Sequence, residues 1–85
     1  MYAVEYSKSS QKVLRRLPRN LTNRIFNKMD NIARNPYTHH NNVKSLKGSQ
    51  YYRLRIGDWR VIYEIQDDQI LIVVLKVASR GEVYK

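Results

Sequence analysis

The sequence contains no cysteine, only two prolines and three glycines, and no long apolar segment. The absence of cysteine excludes disulfide bonds and thiolate-bound metals. A membrane-spanning helix needs ~20 consecutive apolar residues, which no part of the chain provides. Residues 1–6 also lack the basic stretch and apolar core of a secretory signal. We therefore expect a cytoplasmic protein with no membrane contact.

Acidic residues are scarce as well. Seven Asp and Glu residues stand against 16 Lys and Arg residues, a formal net charge of +9, and the pI is near 10.1. Such a charge attracts polyanions, because it steers their approach and releases phosphate counterions on binding. A basic surface that only keeps the protein soluble is the alternative, but a pI above about 9 favours nucleic acid. An acidic protein partner would satisfy the same charge.

The short length of the chain predicts one domain over residues 1–85. Its composition, with 42% hydrophobic and 27% charged residues, is typical of a globular protein. Alternation predicts a first strand over residues 2–6, and the serines after it are good caps for a helix that ends near Leu17. Pro18 ends or kinks this helix. A second helix is predicted from Asn20 to Asn35. One of its faces carries the apolar residues Leu21, Ile25, Met29 and Ile32.

The second half of the chain has a β pattern. Two alternating segments, residues 51–56 and 59–65, flank Gly57-Asp58, a two-residue turn signal in which the glycine suits type II′. Asp67-Asp68 marks another turn, and the apolar run of residues 70–77 is typical of a strand buried on both faces. The prediction is an α+β fold, in which an N-terminal strand and a two-helix antiparallel hairpin pack on a mainly antiparallel sheet of about four strands.

The first hairpin has a predicted register. If Gly57 and Asp58 form its turn, Arg55 pairs with Arg60 and Arg53 pairs with Ile62. Side chains alternate between the faces of a strand, so the three arginines share one face. The opposite face, toward the helices, carries Leu54, Ile56, Trp59, Val61 and Tyr63.

This arginine face is unfavourable for folding. Like charges directly opposite each other in a sheet are destabilising by a few tenths to about 1 kcal/mol. Convergence on a phosphate explains the arrangement, since guanidinium groups bind phosphate through paired N–H donors. The alternative is neutralisation by Glu64, Glu82 or Asp58 in surface ion pairs. In the polar tail, Tyr84 is expected either to stack on a base or to donate a hydrogen bond from its hydroxyl. The alternative is that it belongs to a frayed end.

Several segments occur in an order that matches a known family. They are Leu14-Arg15-Arg16-Leu17-Pro18, Leu46-Lys47-Gly48, Tyr52-Arg53-Leu54-Arg55, Gly57-Asp58-Trp59-Arg60-Val61-Ile62-Tyr63 and the ending Val77-Ala78-Ser79-Arg80-Gly81-Glu82-Val83-Tyr84. The combination covers essentially the whole chain and resembles the RelE/ParE toxin superfamily, and the ending is similar to that of the RelE type.

The resemblance implies a strand, two helices and an antiparallel sheet. It also implies a toxin of a type II toxin–antitoxin system that acts as a metal-independent, ribosome-dependent endoribonuclease on mRNA and needs no cofactor. The implied partners are the ribosome, mRNA and an acidic, RelB-like antitoxin, which binds the toxin in a hetero-oligomer.

The resemblance also implies roles for individual residues. Arg60 and Arg80 match arginines that hold the scissile phosphate, and Tyr84 matches a tyrosine that orients the substrate or stacks on it. Arg53 and Arg55 fall where RelE has two lysines. The expected catalytic residues are Arg53, Arg55, Arg60, Arg80 and Tyr84. The expected RNA-binding residues are Lys44, Lys47, Arg53 and Arg55.

Arginine at the two lysine positions is a departure from the RelE pattern. Cleavage by a 2′-OH requires a proton to leave that hydroxyl and another to reach the 5′-oxygen. Arginine stabilises the developing negative charge but transfers protons poorly, because its pKa lies above 12. Ribosomal RNA, Tyr84 or a water then carries more of the proton transfer, or activity is lower.

Two other functions remain open from the sequence. One is inhibition of DNA gyrase, as the ParE branch of the superfamily would imply. The other is a catalytically weak homologue that binds RNA or an antitoxin without efficient cleavage. The RelE-like positions favour the nuclease.

Overall fold

Two helices pack on one five-stranded sheet in the computed structural model, which describes residues 1–79. The elements in chain order are β1 (Ala3–Tyr6), α1 (Lys8–Arg16), α2 (Arg19–Arg34), β2 (Val43–Ser45), β3 (Tyr51–Ile56), β4 (Trp59–Gln66), a short 3-10 helix (Asp67–Gln69) and β5 (Leu71–Ser79). The strand order is β1-β5-β4-β3-β2. β1 runs parallel to β5, and the other neighbouring strands are antiparallel.

The architecture confirms the predicted α+β class and its mainly antiparallel sheet. The prediction of about four strands missed β2, an edge strand of only three residues. The predicted helices are correct to within about one residue at each end. Ser7 caps α1, and its hydroxyl accepts the N–H of Ser10 at 3.1 Å.

The core lies between the helices and the sheet face that the hairpin register assigns to them. Ile25, Met29 and Ile32 of α2 are fully buried, as are Leu54 of β3 and Val61 of β4. Their burial confirms the helical periodicity and the alternation of the strands. With the apolar residues committed to one face of the sheet, the arginines lie on the other.

The prediction that residues 70–77 are buried on both faces is wrong. Ile72 and Val74 are fully buried, but Leu75 is 36% exposed. The pairing register between β4 and β5 shifts at this point, so that Ile62 lies opposite Lys76 and Tyr63 opposite Val74. Leu75 is therefore the extra residue of a β-bulge.

The amino terminus of α1 is fixed to this bulge. The Ser7 hydroxyl donates to the carbonyl of Leu75 at 3.0 Å, and the buried Ser10 hydroxyl donates to the carbonyl of Val74 at 3.3 Å. These bonds satisfy carbonyl groups at a point where the ladder is irregular.

Two tyrosine hydroxyls hold Asp67, at the end of the molecule where β4 turns into β5. Tyr2 donates to Asp67 Oδ1 at 2.7 Å, and Tyr37 donates to Oδ2 at 2.6 Å. Both hydrogen bonds stabilise the carboxylate and lower the pKa of Asp67 below its ordinary value of 3.8. The same carboxylate raises the pKa of Tyr37 to about 12.

We expect part of the stability at neutral pH to depend on this carboxylate. Because its pKa is lower in the folded chain, its contribution is present above the ordinary value of 3.8 and is lost as the pH falls through the folded value. Asp67→Asn therefore flattens the acid limb of the unfolding free energy, measured by urea titration between about pH 7 and pH 2.5. Asp68→Asn is the control. Equal acid limbs in both variants would contradict the assignment.

The Tyr63 hydroxyl is buried and lacks a hydrogen-bond partner among residues 1–79. Its ring stacks on Tyr52 with centroids 5.4 Å apart. Tyr63→Phe keeps the stack and removes the unsatisfied group, so we expect the free energy of unfolding to rise by about 1 kcal/mol. Urea unfolding measures the change, with Tyr52→Phe as the matched control. A clear loss of stability would show that the hydroxyl is bonded.

Candidate functional site

The turn between β3 and β4 sets the geometry of the site. Gly57 has a φ of +57°, and Asp58 is not among the residues with positive φ, as a type II′ turn requires. The pairing is as predicted, with Arg55 opposite Arg60 and Arg53 opposite Ile62. The short strand β2 extends the same face, because Lys44 lies opposite Arg53.

The structure brings four of the predicted residues to one cavity of about 220 Å³. Its lining consists of Asn42, Lys44, Arg53, Arg55 and Arg60. Within the described part of the chain this lining contains no carboxylate and no histidine. The convergence of the three strand arginines confirms the shared face that the register predicts, and Lys44 joins them from β2, a strand that was not predicted. Their roles are a separate matter.

Of the other predicted site residues, the structure describes only Lys47. Lys47 is exposed in the turn that follows β2 and does not line the cavity. Arg80 and Tyr84, which the resemblance assigns to the catalytic set, lie outside the described residues, as does Glu82.

Arg60 is the unusual member of the cavity because only 5% of its surface is exposed. Its Nε is buried and has no hydrogen-bond partner in the described structure, and Nη1 donates only to the carbonyl of Trp59, at 3.4 Å. A buried charge whose donors are unsatisfied is unfavourable for folding. An anion that accepts from this guanidinium removes the penalty.

Glu64 does not neutralise Arg60, although both lie on the same face of β4. Its carboxylate accepts hydrogen bonds from the side-chain amides of Gln50 and Gln66, the latter at 2.6 Å. Asp58 is exposed in the turn. The alternative that Glu64 balances the arginine face is therefore wrong for Arg60.

The cavity has the chemistry of an oxyanion site. Planar guanidinium groups bind phosphate oxygens in pairs, and a buried cation acts more strongly than an exposed one because water screens it less. A lining of this kind is suited to hold a phosphate and to stabilise added negative charge on it. Across residues 1–79, no three His, Asp or Glu side chains are grouped closely enough to hold a metal ion.

Asn42, the residue directly before β2, positions Arg55 through the backbone. Its φ of +66° lies in the left-handed region, which asparagine adopts more readily than most residues. Its carbonyl accepts the N–H of Arg55 at 2.9 Å. Sequence reasoning missed this residue, and the only signal was the Asn41-Asn42 pair before Val43.

A second polar cavity, of about 330 Å³, was also missed. It lies between α2 and the end of β3, and its lining includes Arg24, Asn27, Lys28, Asn31 and Arg55. The available signal was the spacing of these residues, because side chains four positions apart on a helix are neighbours.

One finding bears on membranes. Among residues 1–79, no helix combines the length and the apolar character that crossing a bilayer requires.

Comparison with known proteins assigns the chain to a family. The sequence profile described as "ParE toxin of type II toxin-antitoxin system, parDE" matches residues 4–84. The chain is 33% identical to a Methanocaldococcus jannaschii protein assigned as toxin RelE1, over 99% of this chain and 96% of that protein.

Solved structures show the same relationship. One is the archaeal RelE–RelB complex from Pyrococcus horikoshii, with 32% identity, a TM-score of 0.82, and coverage of 95% of this chain and 97% of that one. The isolated Escherichia coli RelE toxin has the same fold, with 21% identity, a TM-score of 0.80, and coverage of 99% and 92%. This chain is a RelE-like member of the RelE/ParE superfamily of type II toxin–antitoxin toxins.

Proposed function

We propose that this protein is an endoribonuclease that cleaves mRNA on the ribosome and thereby inhibits translation. The observation that carries the proposal is the buried Arg60 guanidinium, which lines a cavity with Arg53, Arg55 and Lys44 and whose Nε has no hydrogen-bond partner among residues 1–79. RelE-named relatives at 33% and 32% identity support the RelE branch.

The proposed chemistry is attack of a ribose 2′-OH on the adjacent phosphorus. The new P–O2′ bond forms as the P–O5′ bond breaks, which leaves a 2′,3′-cyclic phosphate and a 5′-hydroxyl. One proton leaves the 2′-oxygen and one reaches the 5′-oxygen. The phosphorus centre carries added negative charge in the transition state, and Arg60 is placed to stabilise it. Arg53, Arg55 and Lys44 bind the flanking phosphate oxygens.

Proton transfer is the step for which the arginines of the cavity are poorly suited. Arginine stays protonated, and the lining within residues 1–79 has neither histidine nor carboxylate. Lys44, the remaining cation of the lining, carries an ammonium group that donates hydrogen bonds and accepts none. We therefore assign the proton acceptor to a group from outside this cavity. The candidates are ribosomal RNA, a water molecule or Tyr84, the last on the basis of the family resemblance. This requirement favours a nuclease that works only on the ribosome.

We further propose an acidic, RelB-like antitoxin that binds this toxin in a hetero-oligomer. The structural relatives from Pyrococcus horikoshii and Escherichia coli include RelE–RelB complexes. The net charge of +9 suits a partner of opposite sign. A bound antitoxin excludes RNA if it covers the arginine cavity.

The test is in vitro translation with the purified protein and mapping of the mRNA ends. We expect cuts only when ribosomes translate the message, and 5′-hydroxyl ends at the cut sites. Naked mRNA under the same conditions is the control. Intact message at saturating protein, with translation still inhibited, would remove the nuclease assignment.

Inhibition of DNA gyrase is the second candidate, because the matching family profile carries the ParE name. It predicts DNA breaks that depend on gyrase when the protein is expressed. Such breaks, in cells whose mRNA remains intact, would replace the nuclease proposal.

A further inference from the structure

The cavity between α2 and the end of β3 has no part in the proposed cleavage step, yet its lining is strongly polar and cationic. Arg24 and Lys28 are four residues apart on α2, and Arg55 of β3 also contributes to the lining. Asn27, Asn31 and Asn42 line the cavity as well. No acidic residue of the described chain contributes to this lining.

The helix places these groups on one surface. Residues three and four apart are neighbours on a helix, so Arg24, Asn27, Lys28 and Asn31 form one continuous strip. Lys28 is half-buried while Arg24 is exposed. The strip thus has one cation at its rim and one partly enclosed cation.

The floor of the cavity is closed by the core. Leu54 is fully buried and Ile56 is 7% exposed, so these two side chains line the cavity but offer a ligand little surface. A ligand with an anionic group and hydrogen-bonding edges matches the cations and asparagines that form the rest of the lining. A nucleotide unit of RNA has that composition, with a phosphate and the donors and acceptors of its base.

The two cavities are adjacent. Arg55 and Asn42 line both of them, and the Asn42 carbonyl accepts the N–H of Arg55 at 2.9 Å. A strand that has one phosphate at Arg60 can therefore continue past Arg55 to the strip on α2. This continuity is the main reason to connect the second cavity with RNA.

We infer that the cavity between α2 and β3 is a second RNA subsite, which binds a phosphate and its nucleotide next to the arginine cavity. The inference rests on the proposed function and deepens it. The asparagines favour RNA over an acidic peptide, because an amide both donates to and accepts from base edges, whereas a carboxylate only needs donors. The RNA belongs either to the message or to the ribosome, and the experiment separates the two sources.

The experiment compares the double variant Arg24→Gln/Lys28→Gln with Lys12→Gln/Arg16→Gln. The control removes the same charge from exposed positions on α1. Asn31→Asp is a further variant that puts a negative charge in the strip at nearly constant shape. Urea unfolding curves are measured first, and only variants that unfold at the same urea concentration as the wild type are used.

The first probe is a 2′-O-methylated, uncleavable single-stranded RNA, titrated over a range of salt concentrations. The binding constant for a single strand falls as salt rises. Each lost phosphate contact makes the slope of log K against log salt less steep by about 0.7. We expect the double α2 variant to lose more of this slope than the α1 control. Asn31→Asp is expected to weaken binding.

The second probe is the ribosome without mRNA, and the third is the antitoxin. A loss confined to the oligonucleotide assigns the subsite to the message, and a loss confined to the ribosome assigns it to ribosomal RNA. The inference is overturned if the α2 and α1 variants bind both the oligonucleotide and the ribosome equally, or if the α2 variant loses affinity for the antitoxin alone. Because the oligonucleotide is not cleaved, its binding is read independently of nuclease activity. A protein that binds it through α2 but never cuts mRNA would contradict only the proposed function.

Discussion

Arg60→Met is expected to remove most of the mRNA cleavage while the protein remains as stable as before or becomes more stable. Methionine has a similar length and no charge, so it fills the buried space without an unsatisfied donor. The reaction loses the most deeply buried cation of the cavity lining. Removal of one preorganised donor to a developing oxyanion lowers rates by about 10²- to 10³-fold, and we expect a loss of that size.

The measurement pairs a cleavage rate on translating ribosomes with a urea titration. Lys76→Met is the matched control, because Lys76 is an exposed cation that lies opposite Ile62 and so shares the sheet face of Arg60. Arg60→Lys keeps the charge but loses the planar pair of donors, and it should recover only part of the rate. If the methionine variant cleaves mRNA at the wild-type rate, Arg60 has no part in the chemical step.

The hairpin register could be predicted from local sequence because a two-residue turn fixes it. Once Gly57 and Asp58 form the turn, every pair along β3 and β4 follows, and a shift by one residue would expose the core positions Leu54 and Val61. The position of this turn and the alternation of side chains along β3 and β4 therefore predict the arginine face and most of the core.

Features that depend on more distant contacts were not predictable in this way. β2 has only three residues, and it exists because it pairs with β3 across a turn of polar residues. The bulge at Leu75 was hidden by an uninterrupted apolar run, in which no period identifies the extra residue. Both features arise from pairing with a neighbouring strand, which local propensity does not specify.

The burial of Arg60 is the least predictable property of the site and the most informative one. The alternation of the strand predicts the sheet face on which Arg60 lies, but not how deeply its side chain is buried. An arginine on the open face of a sheet is expected to be exposed. At 5% exposure it differs from Arg55, its direct cross-strand partner, which is exposed. The pair therefore combines a fixed inner cation with an outer one that solvent reaches.

This difference leads to the second prediction with a large expected effect, Arg55→Glu. The substitution replaces a like-charge pair with an opposite-charge pair. The partner is the buried Arg60 guanidinium, whose Nε has no hydrogen-bond partner in the described part of the chain. We expect the free energy of unfolding to rise by about 0.5 kcal/mol, within the range measured for cross-strand charge pairs. We expect cleavage to fall by at least about 10²-fold, since a carboxylate in the cavity repels phosphate and occupies the Arg60 donors. Stability and activity thus change in opposite directions.

Arg55→Gln separates the two causes, because it removes the repulsion without adding a negative charge. Its stability is expected to lie between those of the wild type and the glutamate variant, and the gain of the glutamate variant is expected to shrink at high salt as the pair is screened. Urea titrations at low and high salt measure both. A glutamate variant that is less stable than the wild type would mean that Arg55 stabilises the sheet through contacts of its own. If the glutamate variant is instead more stable and less active than the wild type, the repulsion between Arg55 and Arg60 weakens the fold, and the two charges serve to bind an anion.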